Sequence, residues 1–192
     1  MEVTRRLARY VAGSRATDIP PAVRHEATRS LVNWLGCALG GSRHEAVTIA
    51  LNALQPFAGP PQAGVIGRRE RLDSLHAALI NGMSAHVLDF DDTHLRTLMH
   101  PSVPVASSLL ALAERRPLSG EDFLHAFVLG VEVECRVANA IYFAHNYSSV
   151  MLVALRTFVH LARSSLMRRT VSSGVLLITS APSLAKLSRV AG

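Results

Sequence analysis

Cysteines and long apolar runs are both scarce in this sequence, and each scarcity excludes a class of protein. Only Cys37 and Cys135 occur in 192 residues, which is too few for a disulfide framework and favours a reducing compartment. No stretch approaches the roughly 18 uninterrupted apolar residues of a membrane span. The first residues also lack the apolar core of a signal peptide. We therefore expect a cytoplasmic protein that has no contact with a membrane.

Acidic residues are missing from the end of the chain. Residues 151–192 contain five arginines, one lysine and no acidic residue, whereas residues 1–150 contain 14 arginines and 14 acidic residues. The net charge of +6 therefore belongs entirely to the last segment. Because that segment has Phe158 as its only aromatic residue, it offers no stacking platform for bases. We predict no nucleic-acid partner.

Several motifs that indicate a cofactor or a nucleophile are also absent. The sequence contains no GxGxxG, GxxxxGKS, GxSxG or HExxH pattern. These patterns mark nucleotide-binding loops, nucleophilic serines and a common class of zinc site. We therefore predict that the protein uses no cofactor.

Helical periodicity is what the sequence does contain. Apolar residues recur at spacings of three and four in six segments, which are residues 3–12, 21–39, 43–56, 72–88, 101–115 and 122–141. Residues 63–67 are a candidate extended segment, but no strand pairing is evident. We predict a mainly α fold, with Leu75, Leu79 and Met83 on the apolar face of the segment 72–88.

The segment from His86 to His100 is the most informative part of the sequence. Its fifteen residues hold three aspartates, three histidines and two threonines, with apolar helical sequence on both sides. A packed core does not need so many ionisable groups, because each buried charge must be paired or neutralised. This density predicts acid–base chemistry, a metal site or a polar ligand.

The residues alone leave several interpretations of this segment open. A calcium loop fails, because the sixth and twelfth residues counted from Asp89 are His94 and His100 rather than glycine and glutamate. Zinc held by His86, His94 and a carboxylate is not excluded, although we expect no metal. General acid–base catalysis by a histidine fits better. A capped, polar helix end without catalytic function is the structural alternative.

Four motifs in the first 147 residues follow, in order, the pattern of one enzyme family. They are Arg29–Gly41 with its Leu-Gly-Cys-Ala-Leu-Gly-Gly ending, Ala77–His94 with Asp-Phe-Asp-Asp-Thr-His, the triplet His100-Pro-Ser, and Gly120–Arg136. In this order they resemble the MmgE/PrpD family, which includes 2-methylcitrate dehydratase and cis-aconitate decarboxylase. The resemblance covers roughly residues 1–147.

This resemblance implies a mainly helical domain, a homodimer, and metal-independent lyase chemistry on a small polycarboxylate. By the same resemblance, Asp89, Thr93 and His100 are the active-site residues. His100 would move protons at a carbon next to a carboxylate, while Asp89 and Thr93 hold polar groups in place. Arg96 is the only cation in the segment and is a weak candidate for binding a substrate carboxylate.

The end of the chain departs from the family pattern. Family members are more than twice as long, and after the matched part they carry a second histidine in a "GWHPTG"-like motif and then several lysines. Here neither His145 nor His160 lies in such a motif, and Lys186 is the only lysine. We predict a helical domain over residues 1–147 and a divergent, poorly packed basic tail over residues 148–192, as in a truncated or frame-shifted product.

Three hypotheses for function follow from these patterns. The first is an N-terminal fragment of an MmgE/PrpD-type lyase that is inactive by itself. The second is a non-catalytic helical dimerisation module. The third is a metal-dependent hydrolase that uses the histidine and aspartate cluster.

Overall fold

Six α-helices and one short pair of strands make up the part of the chain that the structure describes. The computed structural model describes residues 2–141. Its elements, in chain order, are α1 (Glu2–Gly13), α2 (Pro21–Gly41), α3 (Glu45–Leu54), β1 (Ala63–Gly64), β2 (Arg71–Leu72), α4 (Ser74–His86), α5 (Ser102–Ala113) and α6 (Gly120–Ile141). Single 3₁₀ turns follow α1 and α3, at Ala16–Asp18 and Gln55–Phe57.

The predicted mainly α fold class is confirmed. All six predicted helical segments are helices, and their ends agree with the structure to within a few residues. None of the helices within residues 2–141 is long and apolar enough to cross a membrane. The predictions for the boundary at residue 147 and the tail over residues 148–192 lie outside the described residues.

The strand pair was not predicted. Ala63 pairs with Leu72 and Gly64 with Arg71 in antiparallel register, and the turn between them contains Gly67 at a φ of 71°. Strands of two residues are too short to show the apolar alternation that identifies a strand in a sequence. Asn81 of α4 fixes the pair in place, since its amide donates to the Gly64 carbonyl at 3.0 Å.

Helix α4 lies at the centre of the fold, between α2 on one side and α5 on the other. The apolar face predicted for this helix is wrong at Leu75, which is 69% exposed, and at Leu79, which is 43% exposed, whereas Met83 packs against the core. Apart from Ile80, the buried face consists of small or polar residues, namely Ser74, Ala77, Asn81, Ser84 and Ala85. Small side chains let neighbouring helices approach closely, and here this requirement outweighs the burial of the larger leucines.

The contact between α2 and α4 is too close for any side chain at Gly41. A Cβ atom added there would lie 2.1 Å from the Ser84 carbonyl oxygen. A buried hydrogen bond joins α2 to α5 in the same region, since the Trp34 indole N–H donates to the Ser107 hydroxyl of α5 at 3.1 Å. The core around Trp34 also includes Phe127 of α6. Helices α2, α4, α5 and α6 are therefore packed as one unit.

Asp73 fixes the start of α4. Its Oδ1 accepts hydrogen bonds from the backbone N–H groups of Leu75 and His76, at 3.0 and 3.2 Å. Its Oδ2 accepts one from the Gly59 N–H at 2.8 Å. Burial raises the pKa of this carboxyl, but the hydrogen bonds from Gly59 and His76 outweigh burial and lower the pKa to about 2. The folded protein therefore favours the charged carboxylate as the helix cap.

We expect Asp73→Ala to lower the free energy of unfolding at pH 7 by about 0.5–2 kcal/mol, the usual cost of losing a capping side chain. Urea unfolding measures this difference. The pKa of Asp73 is lower in the folded state than the unfolded value of about 3.9. Its contribution is therefore fully present above about pH 4 and is lost as the pH falls toward about 2.

Glu26→Ala is the control for this prediction. Glu26 makes only an exposed ion pair with Arg29, at 3.1 Å, and exposed pairs contribute about 0–1 kcal/mol. A stability difference between wild type and Asp73→Ala that stays constant between about pH 6 and pH 2.5 would contradict the assigned role of the carboxylate.

Candidate active site

The loop between α4 and α5 carries the candidate site, and its backbone is tightly constrained. It begins with a hydrogen bond from the Asp89 N–H to the His86 carbonyl at 2.9 Å. Further along, the His94 N–H donates to the Met99 carbonyl at 2.7 Å. Asp89 has a φ of 56° and Leu98 a φ of 53°, a left-handed conformation that is uncommon outside glycine. Such backbone strain is concentrated at functional sites.

Asp91 is the buried centre of the site. Its side chain has no exposed surface, and its Oδ2 lies 3.0 Å from His86 Nδ1 and 3.2 Å from His100 Nδ1. The two imidazole rings contact each other edge to face, with centroids 4.7 Å apart. The hydrogen bond with Asp91 raises the pKa of His86, although burial acts in the opposite direction. One carboxylate is therefore hydrogen-bonded to His86 and lies against His100.

Asp89 approaches the other side of the His100 ring. Its Oδ1 lies 3.6 Å from His100 Nε2, which is beyond direct hydrogen-bond distance but within reach through a small movement or a water. The side chain of Asp89 is 77% exposed, whereas that of His100 is 11% exposed. The Nε2 atom therefore faces the solvent side of the site, where a small substrate would meet it.

Asp92 is bonded to the start of α5. Its two oxygens accept hydrogen bonds from the Ser102 N–H at 3.1 Å and the Ser102 hydroxyl at 2.5 Å, so it binds the first turn of α5. Burial raises the pKa of Asp92, while the hydrogen bonds from Ser102 act against this effect. A carboxylate at a helix N-terminus also meets the positive end of the helix dipole.

The structure brings together two of the three predicted catalytic residues. Asp89 and His100 are in contact, as the spacing and the resemblance predicted. Thr93 is exposed, and no described residue is its hydrogen-bond partner. Arg96 is also exposed and forms no ion pair within residues 2–141. The catalytic roles of Asp89, Thr93 and His100 and the substrate-binding role of Arg96 stay predictions.

The sequence left open a zinc site made of His86, His94 and a carboxylate. The structure offers a different set of possible metal ligands. His94 does not join the cluster, because its Nδ1 is hydrogen-bonded to the Thr97 hydroxyl at 2.7 Å. Four side chains each offer one ligand atom, and these four atoms all lie within 4.8 Å of one another. They belong to His86, Asp89, Asp91 and His100. However, Asp89 contacts Nε2 of His100 and Asp91 contacts Nδ1. These close contacts orient an imidazole rather than converge on one ion, and the absence of a metal stays a prediction.

The sequence did not indicate that His86 and Asp91 belong together. They are five positions apart, and this spacing matches neither one helix face nor a known metal motif. Their contact forms because α4 ends at His86 and the chain turns back at Asp89. A positive φ at an aspartate is not visible in the sequence, so this pairing required the structure.

A cavity of about 660 Å³ lies beside the histidine cluster rather than at it. It is bordered mainly by α1, α2 and α6, and its wall reaches Asp92 and Ser102. The two cysteines do not add a nucleophile, because burial raises the pKa of both Cys37 and Cys135, and a thiol in that state is a weak nucleophile. The chemistry of the site therefore depends on the imidazoles and carboxylates.

Comparisons with known proteins point to one family. The model of the MmgE/PrpD N-terminal domain matches residues 5–171. The chain is 33% identical over 141 residues to human cis-aconitate decarboxylase, covering 70% of this chain and 29% of that protein. It is 31% identical over 147 residues to the cis-aconitate decarboxylase-like protein oryM of Aspergillus oryzae, covering 73% and 30%.

The chain belongs to the MmgE/PrpD family. A cis-aconitate decarboxylase of Aspergillus terreus is also similar, at 28% identity over 146 residues. The chain spans about 30% of the length of these curated relatives. Its match to the family extends beyond residue 147, and the domain boundary predicted there stays a prediction.

One further carboxyl in this MmgE/PrpD domain faces the site from α6. Glu134 is 6% exposed, and burial, with a smaller contribution from the Asp92 charge, raises its pKa to about 9. It is therefore a neutral carboxylic acid at pH 7. In the unfolded chain a glutamate ionises near pH 4.3, so unfolding releases a proton at every pH between these two values.

We expect Glu134→Gln to stabilise the protein at about pH 8 and to have little effect near pH 4.5. Glu134 has a higher pKa in the folded than in the unfolded state, so the wild type loses stability as the pH rises from about 4.5 toward 9. Glutamine cannot ionise and removes this loss. Urea unfolding of both proteins at the two pH values measures the effect.

Glu132→Gln is a matched control on the same helix. Glu132 is paired with Arg136 and partly exposed, so this change should show no stability gain that grows with pH. Equal stability of Glu134→Gln and wild type at about pH 8 would show that the Glu134 carboxyl is charged in the folded protein.

Proposed function

We propose that this chain supplies the acid–base part of a lyase site that acts on a small polycarboxylate. His100 is the proton-transfer residue, and the observation that carries this proposal is the position of its ring. One nitrogen contacts the buried Asp91, and the other faces the exposed Asp89 at 3.6 Å. A histidine held in this way can exchange a proton with a substrate at neutral pH.

Two related reactions suit this arrangement. In decarboxylation the bond to a carboxylate breaks, carbon dioxide leaves, and the electron pair on the carbon takes a proton from His100. In dehydration His100 takes a proton from the carbon next to a carboxylate, the C–O bond of the hydroxyl group on the neighbouring carbon breaks, and the departing oxygen takes this proton back from His100 and leaves as water. The names of the relatives, which are cis-aconitate decarboxylases, favour the first reaction. The 2-methylcitrate type of dehydration is the other one.

The remaining site residues have supporting roles in this proposal. Asp89 and Thr93 hold polar groups of the substrate, and Arg96 offers the only positive charge between His86 and His100. Aligned groups of this kind contribute to catalysis by fixing the reacting atoms in position. We propose that the reaction needs no cofactor and no metal, and that it takes place in the cytoplasm.

A metal-dependent hydrolase is the second candidate, because the four ligand atoms of the cluster lie within 4.8 Å of one another. Metal analysis of the purified protein distinguishes the two. One zinc per chain, lost together with hydrolase activity on chelation, would favour this candidate over the lyase.

A homodimer is the third part of the proposal. The outer face of α2 exposes Val32 at 68%, Leu35 at 44% and Leu39 at 51%. The loop that carries the site continues this apolar surface, since the Asn33 amide of α2 donates to the Phe90 carbonyl at 3.1 Å and the Phe90 side chain is 75% exposed. Contiguous apolar surface of this kind is typical of a protein interface. A helical dimerisation module without catalysis would use the same surface.

We expect the isolated chain to bind cis-aconitate weakly and to turn it over near background. Losing one donor that stabilises developing charge already costs about 10²–10³ in rate, and Arg96 is the only cation in the site segment. Turnover of cis-aconitate and 2-methylcitrate measures the activity. Chemical-shift changes at His100 and Asp89 on adding millimolar cis-aconitate measure the binding.

His94→Ala and His100→Ala form the matched pair for this test. His100→Ala should abolish the chemical-shift response and any residual turnover, whereas His94→Ala should leave both in place. No response at His100 would overturn the proposed function. A kcat of roughly 1–10³ s⁻¹ that is abolished by His100→Ala would support the function and contradict the expected inactivity.

We expect Leu35→Glu to raise the dissociation constant of the dimer by at least tenfold. Burying one leucine contributes about 1.5–3 kcal/mol, and about 1.4 kcal/mol corresponds to a factor of ten. Sedimentation velocity over a concentration series measures the change. Ile49→Glu is the control, since Ile49 is 62% exposed on α3. A monomeric wild type, or an unchanged dissociation constant in Leu35→Glu, would contradict the proposal.

A further inference from the structure

We propose that Asp91 is a positioning residue that fixes the tautomer of His100, with the proton on Nδ1 and the lone pair on Nε2. This inference rests on the proposed function, because it identifies Nε2 as the atom that exchanges the proton with the substrate. In dehydration Nε2 takes the proton, and in decarboxylation the protonated ring gives it up from Nε2 and returns to the Nδ1–H form. The roles inferred so far concern Asp89, Thr93 and His100. Asp91 adds the group that decides which nitrogen of His100 is free to react.

The charge state of the carboxylate determines the direction of the hydrogen bond. An ionised carboxylate can only accept hydrogen bonds, so an imidazole nitrogen beside it must carry a proton to interact favourably. His100 Nδ1 lies 3.2 Å from Asp91 Oδ2. If Nδ1 instead carried the lone pair, two electron-rich atoms would face each other inside the protein, which is unfavourable at low dielectric.

The contact is short but is not aligned as a hydrogen bond. His100 Nδ1 is a buried atom without a hydrogen-bond partner among the described residues, although Asp91 Oδ2 lies at 3.2 Å. Asp91 therefore places an acceptor oxygen beside a buried nitrogen that still needs a partner.

Asp89 competes for the opposite tautomer and is the weaker partner. Its Oδ1 lies 3.6 Å from Nε2, and its side chain is 77% exposed, whereas the side chain of Asp91 has no exposed surface. Interactions between charges and dipoles are stronger in the interior than in water. The buried carboxylate therefore decides the tautomer, and Nε2 keeps its lone pair on the solvent side.

His86 explains why Asp91 stays in place. Its Nδ1 lies 3.2 Å from Oδ1 and 3.0 Å from Oδ2 of Asp91, so the carboxylate is held from the end of α4 while His100 lies at the start of α5. The orientation of His100 is thus linked to the packing of both helices. His86 itself contacts Asp91, not the solvent side of the His100 ring.

Nitrogen-15 NMR of the histidine rings in the full chain tests the proposal directly. At about pH 9, where histidines are largely neutral, wild-type His100 should be present as the Nδ1–H form with at least about a tenfold preference. A buried carboxylate oxygen beside Nδ1 should produce this preference, because a lone pair on that nitrogen would face it unfavourably at low dielectric. A wild-type His100 that is mainly Nε2–H would overturn the proposal without any variant.

Three variants separate the tautomer effect from general damage to the fold. Asp91→Leu removes the acceptor and puts an apolar side chain in its place, so the tenfold preference at His100 should be lost. His86→Gln replaces the other partner of the same carboxylate with an amide that can still donate to it and hold it, and His94→Gln removes a histidine of the same loop. Both should keep the Nδ1–H form. Loss of the preference in His94→Gln, or its persistence in a folded Asp91→Leu protein, would overturn the role of Asp91.

Failure of this inference and failure of the proposed function give different results. A chain that shows no response to cis-aconitate but keeps the Nδ1–H tautomer refutes the function alone. A chain that responds to cis-aconitate through His100 while the ring is mainly Nε2–H refutes the role of Asp91 alone. If Asp91→Leu does not fold, the wild-type spectrum still tests the proposal, since a mainly Nε2–H ring at His100 would overturn it.

Discussion

The close packing of α4 against α2 and α5 is the constraint on which the rest of the structure depends. No Cβ atom fits at Gly41 beside the Ser84 carbonyl, and the buried face of α4 is built from small and polar residues. Interiors packed at this density transmit small displacements. The end of α4 presents His86, and the start of α5 follows His100. The distance between the two imidazoles is therefore set by helix packing rather than by the loop alone.

Three aspartates that are nearly adjacent in sequence differ in burial and in the groups that they contact. Asp89 is exposed and faces the solvent side of His100, Asp91 is fully buried between two imidazoles, and Asp92 binds the first turn of α5. A carboxylate in water interacts weakly with its neighbours, whereas a buried one must be paired. One short acidic motif therefore supplies an exposed carboxylate beside His100, a buried carboxylate between two imidazoles and a contact with the first turn of α5.

Local sequence patterns predicted most of the helices, but they predicted only part of the candidate site. The helices were predictable because their apolar spacing and their breaks are local properties. The buried face of α4 was not, because the leucines predicted to be buried are exposed and the small residues pack inside. The contact between Asp89 and His100 was predicted from the cluster and from the family resemblance. The pairing of His86 with Asp91 depends on the left-handed backbone at Asp89, which the order of residues does not reveal.

The single tryptophan of the chain gives this domain a natural optical probe. Trp34 is 4% exposed, and its indole N–H is bonded to Ser107 in the middle of α5, the helix that follows His100. Indole emission depends on the polarity and hydrogen bonding around the ring. Separation of α5 from α2 would expose the Trp34 ring to water and shift its emission maximum to longer wavelength. Fluorescence of the unlabelled protein therefore reports on the scaffold beneath the imidazoles independently of catalysis.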